Sequence, residues 1–246
     1  LPKTAWPPTS STVPDSTENG TSTSFEHISI NNSTLTDNAV YCFAPGSMNK
    51  LWIGTENGIN YYLYKSKQLK TFTVTADGKK VKYVHSIHEL NDTTLWVSTV
   101  GEGIVKIILN KNGITPTVKS ATRIILDGGR LASNYFFTSF QENDSILWFG
   151  NRGYGAHRLN LETGKFTPYK FDNIVNSQMT NDIFAIYKNE NGYWFATSSG
   201  LLHFNQEDSQ HHNKVELLSK NTAHGILEDQ QNNIWISTNQ GLVRFN

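Results

Sequence analysis

The chain has 246 residues with 21 basic and 21 acidic side chains, so no overall field draws it to nucleic acid or to an anionic membrane. Its one cysteine, Cys42, excludes an internal disulfide framework and any multi-cysteine metal site. No apolar run nears the roughly 20 residues of a membrane helix, and no charged-then-apolar leader is present, which leaves a cytosolic chain or a mature extracytoplasmic one.

Residues 1–24 run from Leu1-Pro2-Lys3 through a Ser/Thr/Pro/Asn stretch to Ser24. With almost no apolar content this segment cannot bury a core of its own, and it reads as a linker or a surface arm. Residues 25–246 follow a different rule. Leu51-Trp52-Ile53-Gly54-Thr55, Leu95-Trp96-Val97-Ser98-Thr99, Leu147-Trp148-Phe149-Gly150-Asn151, Tyr193-Trp194-Phe195-Ala196-Thr197 and Ile234-Trp235-Ile236-Ser237-Thr238 are five copies of one phrase. Each is followed by a glycine (Gly58, Gly103, Gly155, Gly200, Gly241) and a short apolar run. The tryptophans are 44, 52, 46 and 41 residues apart, a period that in β-rich sequence predicts propeller blades.

The fourth copy shows the expected strands. Asn181–Tyr187 alternates apolar residues as a first strand, and Asn189-Glu190-Asn191-Gly192 is a turn of residues that tolerate positive φ. Tyr193–Thr197 and Leu201–Asn205 are the next two strands, and Val215–Leu218 a more polar outer one. Four antiparallel strands per period give an all-β fold of four-stranded propeller blades, five repeats in all. Phe25–Ile30 matches the outer strand seen at Lys165–Tyr169, whereas the chain stops on the third strand of its fifth copy. A returning N-terminal strand would complete that blade and close a five-bladed ring; the alternative is a part of a larger, seven-bladed ring.

The repeated tryptophan suits packing between blades, where one ring buries on the order of 150–250 Å². The small residue two positions later leaves room for a neighbouring backbone, and the following Thr or Asn can bond the turn it opens. None of these features needs a ligand.

The pattern Leu-Trp-Ile-Gly-Thr-x-x-Gly-Leu/Ile, best seen in Leu51–Tyr61 and again in Ile226–Leu242, resembles the two-component regulator propeller repeat, over about residues 25–246. The resemblance implies the extracytoplasmic, periplasmic sensor region of a membrane-anchored hybrid histidine kinase. In Bacteroidetes such sensors respond to fragments of complex carbohydrates. It implies as partners an oligosaccharide and a neighbouring propeller or β-sandwich domain of a parent protein, with no cofactor and no catalytic residues. Family members carry about fourteen repeats in two seven-bladed rings; this chain has five copies. The second and third copies depart further, with an extra residue in the turns Thr99–Gly103 and Asn151–Gly155.

Propeller ligands meet loops at one end of the ring, here the turns between second and third strands and the approaches to the first strands. Candidate ligand-binding residues in those turns are Asn57, Glu102, Arg152, Tyr154 and Asn239, beside Glu56, Ser198, Ser199 and Gln240. The approaches offer Lys82, Tyr135 and three asparagines (Asn38, Asn181, Asn221) whose recurrence fits capping of a turn. Arg152 and Tyr154 in one widened loop suit stacking on a sugar ring while bonding its hydroxyls. His211-His212 and the pair His85 and His88 diverge on a strand and match no metal-ligand spacing. A glycan hydrolase or lyase would need two convergent carboxylates or a His–carboxylate pair, for which Glu56, Glu102 and His224 are the candidates, and no motif supports it. A protein-interaction scaffold is the other alternative, and the edges of an incomplete ring offer a route to a homodimer.

Overall fold

The computed structural model describes residues 26–111, 114–126, 133–171, 181–204 and 221–245. Blade one holds β1 (Val40–Gly46), β2 (Lys50–Thr55), β3 (Gly58–Leu63) and β4 (Gln68–Phe72). A short ribbon, β5 (Thr75–Ala76) and β6 (Lys79–Lys80), leads to blade two: β7 (Val84–Asn91), β8 (Thr94–Thr99), β9 (Ile104–Leu109) and β10 (Val118–Ile124). Blade three is β11 (Phe136–Asn143), β12 (Ile146–Asn151), β13 (Ala156–Asn160) and β14 (Phe166–Tyr169). Blade four shows β15 (Ile183–Asn189), β16 (Gly192–Thr197) and β17 (Gly200–Phe204), and blade five β18 (Ala223–Glu228), β19 (Ile234–Thr238) and β20 (Gly241–Phe245). The expected arm over residues 1–24, Phe25, the histidines at 211 and 212 and the outer strand at 215–218 lie outside the described residues.

Within every blade each strand pairs antiparallel with the next in sequence. The first strands β1, β7, β11, β15 and β18 are innermost and pack successively on one another, which makes a β-propeller of five blades. That packing is not repeated between β18 and β1. Of the two alternatives read from the sequence, the return of residues 25–30 as the outer strand of the last blade is not what the described residues form. Residues 26–30 form no strand, and β20 has β19 as its strand neighbour among the described residues. Ile28 and Leu35 instead lie over the outer face of blade one. The segment is held there locally, by Asn38 Oδ1 accepting from the Ile30 amide at 3.0 Å and by Asn60 Nδ2 donating to the Thr34 carbonyl at 2.8 Å. These local bonds pair the Ile30 amide and the Thr34 carbonyl without a β-ladder.

The tryptophan phrase builds the seams. Trp52 shares an apolar cluster with Leu95 and Val97 of blade two, and Trp96 with Leu147 and Phe149 of blade three. Trp148 clusters with Tyr193 and Phe195 of blade four, and Trp194 with Ile234 and Ile236 of blade five. Each tryptophan thus rests on the two apolar residues that flank the tryptophan of the next blade, facing the opposite way because side chains alternate along a strand. The small residue two places on is required by close approach. A Cβ at Gly54 would lie 2.6 Å from the Val84 carbonyl of blade two, and one at Gly150 2.7 Å from the Ile183 carbonyl of blade four. In the turn that follows, the threonine hydroxyl donates to the carbonyl of the later glycine, as Thr55 does to Gly58 at 3.1 Å and Thr197 to Gly200 at 2.9 Å. Gly155 has φ +75°, and a Cβ there would sit 2.0 Å from the Tyr169 carbonyl, so no other residue fits.

The indole N–H groups also need partners, since a buried unpaired donor costs about 1–3 kcal/mol. Trp148 donates to Glu142 at 2.8 Å, Trp235 to Asp229 at 2.7 Å, Trp194 to Asn189 at 3.1 Å, and Trp52 to Glu89 of the next blade. The corresponding place ahead of Trp96 is taken by Leu90, and its Nε1 is buried without a partner among the described residues.

Candidate functional site at the axial mouth

The start of each inner strand lies at the same end of the propeller as the turn between its second and third strands, because Val40 pairs with Thr55 and Ile183 with Thr197. At this end all five inner strands slip register at their second residue: at Tyr41, His85, Phe137, Phe184 and His224. A bulge adds one residue against a single partner and re-aims a side chain out of the sheet alternation. Here every re-aimed residue carries a planar ring. Tyr41 stacks on His85 with centroids 4.3 Å apart; His85 meets Phe137 at 5.9 Å, Phe137 meets Phe184 at 5.2 Å, and Phe184 meets His224 at 5.6 Å. The result is a belt of five rings around the axis, one from each blade. Tyr41 and His224 are exposed and the other three half-buried.

Polar groups rim the belt. Tyr41 Oη donates to Glu56 at 3.2 Å, and His224 Nε2 lies 2.6 Å from Asn239 Oδ1. Burial lowers the affinity of His85 for a proton, so its ring is neutral at neutral pH and stacks as an uncharged surface. One layer deeper along the axis, Ser86 and Ser139 are joined at 2.8 Å and His88 Nε2 meets Gln141 at 3.0 Å, which ties blades two and three together.

The five turn residues expected to bind a ligand fall at this end but are not equivalent. Asn239 touches the belt through His224. Asn57 donates to Asp37 on the approach to β1. Glu102 is held in an ion pair with Arg123 of β10 at 2.9 Å, and the same oxygen lies 3.4 Å from the Lys82 amide on the approach to β7. Arg152 lies over the Tyr135 ring at 5.7 Å, whereas Tyr154 faces the Lys170 ammonium at 5.1 Å, just past outer strand β14. The widened loop therefore sends these two side chains to different partners. Glu56, Glu102 and His224 likewise belong to three separate pairings. Among the described residues no group of three or more His, Cys, Asp or Glu side chains is placed to hold a metal ion. Asn181 was expected to cap a turn; its Oδ1 instead accepts from the Phe171 amide at 2.9 Å, ten residues back, and so ties the end of blade three to the approach to β15.

The opposite end of blade three carries the most developed charge cluster. Glu142 accepts from Trp148 at 2.8 Å and Lys188 at 3.1 Å and lies 3.5 Å from Arg158 Nε. Burial pushes its carboxyl up, but the hydrogen bonds from Trp148, Tyr193 and Lys188, with the ammonium charge, outweigh that and hold it below the usual range. This carboxylate is buried and joins blades three and four. Cys42, packed against Val84 of blade two, has its thiol pushed up to about 12 by burial.

The belt was missed in the sequence because its residues differ in type, Tyr, His, Phe, Phe and His. A signal exists nonetheless: each ring stands eleven residues ahead of the tryptophan of its own copy, ten in the fourth. Register against the tryptophan, not chemical identity, marks the position.

Comparison with known proteins fits this architecture. The model of the two-component regulator propeller family matches residues 34–57 and 217–240. Histidine kinase P4 of Formosa agariphila is 28% identical over 211 residues, covering 80% of this chain and 15% of that protein. Among solved structures, the extracellular domain of BT3049 from B. thetaiotaomicron, described as a hybrid two component system, superposes with a TM-score of 0.69 at 22% identity, over 90% of this chain and 29% of that one. The extracellular domain of BT4673 from the same organism, described as a one component system, gives 0.69 at 20% identity, over 86% of this chain and 28% of that one. These likenesses establish the fold, and the chain spans less than a third of each of these relatives. No helix among the described residues is long and apolar enough to cross a membrane. The matches to the two-component regulator propeller repeat thus fall in the first and the last blade of a propeller whose blades repeat one tryptophan seam.

Proposed function

We propose that the chain is a ligand-recognising propeller segment of an extracytoplasmic, periplasmic two-component sensor, and that it takes an oligosaccharide at the axial mouth. The observation that carries this reading is the belt of five rings, raised by five bulges at one level of the axis. Aromatic faces pack on the C–H faces of a pyranose, and a polar rim supplies bonds to its hydroxyls. Glu56, Asn239 and the guanidinium of Arg152 are the rim groups closest in role to that task. Support for a sensor comes from the family repeat and from the extracellular domains whose fold it shares. Recognition works by binding, not bond cleavage. Its readout is a change in packing against a neighbouring propeller or β-sandwich domain of the parent protein.

The test is a glycan array followed by calorimetry on the best binder. Phe184→Ala and Tyr41→Ala should each weaken binding at least about tenfold, the loss of one well-packed stacking partner. Tyr154→Ala should leave it within about twofold, since that ring is engaged by Lys170 beyond the outer strand. Binding that survives both belt variants but is lost with Arg152→Ala and Tyr154→Ala would move the site to the loop. Depolymerisation of the bound glycan by the purified chain would overturn the non-enzymatic reading.

A further inference from the structure

Two of the five turns at the mouth, Thr99–Gly103 in blade two and Asn151–Gly155 in blade three, are one residue longer than the others. In four blades the first turn residue donates its amide to the residue just ahead of the inner strand: Glu56 to Ala39, Val100 to Tyr83, Arg152 to Tyr135 and Asn239 to Thr222. At that place ahead of the strand, only blades two and three carry a ring. The longer turn of blade two reaches over the seam to hold the second ring. The amides of Gly101 and Gly103 both donate to the Asn134 carbonyl, at 2.9 and 3.0 Å, and Val100 forms an antiparallel bridge with Tyr135. The longer turn of blade three brings Arg152, whose guanidinium lies 5.7 Å over the same ring. Blades two and three each pack between two others, so this sector of the mouth has both its neighbours.

Tyr83 completes the sector. Its φ of +51° is in the left-handed region, which a bulky side chain rarely adopts. Bonds on both sides fix it there, its amide donating to the Glu56 carbonyl at 2.7 Å and its carbonyl accepting from Val100 at 3.0 Å. Backbone strain of this kind persists where the surroundings over-determine it, and it clusters at ligand contacts. Tyr83 and Tyr135 are 40% and 39% exposed, two residues ahead of the belt rings His85 and Phe137. Charge then singles out Arg152. At the first turn position the five blades carry Glu56, Val100, Arg152, Ser198 and Asn239. Glu56 accepts from Tyr41, Ser198 donates to Asp182, and Asn239 meets His224. Arg152 is exposed, and among the described residues its guanidinium makes no hydrogen bond or ion pair beyond its contact with Tyr135. A guanidinium stacked on a ring keeps its planar fork oriented and its donors unspent, which suits a carboxylate or a sulfate.

Resting on the reading of the mouth as an oligosaccharide site, we infer that the glycan carries an anionic sugar unit and that Arg152, Tyr135 and Tyr83 form the subsite that holds it. The unit packs on the tyrosine faces above the seam of blades two and three, its carboxylate or sulfate takes the Arg152 fork, and the next unit lies on the belt. The acidic side chains of this end do not neutralise Arg152, because each is already engaged: Asp37 by Asn57, Glu56 by Tyr41, Glu102 by Arg123 and Asp182 by Ser198. The two turns that depart from the common repeat are thus the ones that give the mouth its specificity.

An array of uronate-bearing, sulfated and neutral oligosaccharides, followed by calorimetry, tests this on the 246-residue chain. Anionic members should be retained above their neutral counterparts, and whether uronates or sulfated sugars dominate identifies the anion. Reducing the carboxyl or removing the sulfate of a bound member should weaken it at least about tenfold. Arg152→Gln should cost the anionic glycan about tenfold and its neutral counterpart no more than about twofold. Tyr83→Gly should weaken binding while the melting temperature stays level or rises, since glycine takes a φ of +51° without strain. A lower melting temperature with undiminished binding would make Tyr83 a structural residue and remove it from the subsite. Neutral glycans bound through Phe184 and indifferent to Arg152→Gln would overturn the inference and leave the belt standing. Anionic binding lost with Arg152→Gln but kept in Phe184→Ala would do the reverse, and an array with no glycan retained would overturn both.

Discussion

The seam geometry makes Trp148 and Trp235 a matched pair with very different expected costs on truncation. Trp148 is fully buried, with Tyr169, Tyr193 and Phe195 at centroid distances of 4.9, 5.1 and 6.1 Å. Removing about 200 Å² of buried ring at ~25 cal/mol per Å² corresponds to about 5 kcal/mol, within the range expected for Trp→Ala in a core. The variant also takes one donor from Glu142, whose side chain is 7% exposed, and that adds about 1 kcal/mol. Trp148→Ala should therefore lose roughly 6 kcal/mol of unfolding free energy. Trp235 makes the same kind of bond to Asp229, but among the described residues no following blade covers its ring. Trp235→Ala should lose about 2 kcal/mol, the share of the ring that its own blade covers. Urea unfolding followed by far-ultraviolet circular dichroism, at concentrations where the chain is single, measures both. Losses within about 1 kcal/mol of each other would refute the seam as the main source of burial for the repeated tryptophan.

Gly54→Ala should cost about 1–3 kcal/mol, because its Cβ meets Cys42 Sγ at 2.4 Å and backbone at 2.6 Å; Gly225→Ala, whose nearest neighbour is Ser237 Oγ at 3.1 Å, should cost less than ~1 kcal/mol by the same denaturation assay. Glu142 has a folded pKa below its unfolded value, so its contribution is present above the usual carboxylate range and is lost as pH falls through that range and below it. Glu142→Gln should lower stability at pH 7 and flatten the acid side of a pH–melting profile, and an unchanged acid slope would count against the cluster. Cys42, with its thiol pushed up to about 12, should react slowly with a disulfide reagent at pH 8 in the native chain and promptly in urea; equal rates would mean that the contact of β1 with blade two is open.

The blades were legible in the sequence because their cause is local and repeated. A tryptophan flanked by apolar residues, then a small residue, a threonine and a glycine, states a strand, a close approach and a turn at each copy. The strand bounds follow within a residue or two, as at Tyr193–Thr197 against β16 (Gly192–Thr197). The loop end was legible too, since Asn57, Glu102, Arg152, Tyr154 and Asn239 all lie in turns at that end. Their directions were not. Arg152 and Tyr154 are two residues apart in one loop, yet partners from different parts of the blade, Tyr135 and Lys170, draw them apart.

By itself the sequence determined the repeat, its phase and the residues at each seam, because side-chain alternation and glycine conformation act over a few residues. Tertiary structure decided what depends on how blades meet. The bulges turned five dissimilar residues into one belt, and only packing around the axis brings Tyr41 onto His85, 44 positions away. The fate of the N-terminal segment was settled in the same way. Its outer-strand pattern fits a sheet edge, but Asn38 and Asn60 hold it beside blade one through the Ile30 amide and the Thr34 carbonyl.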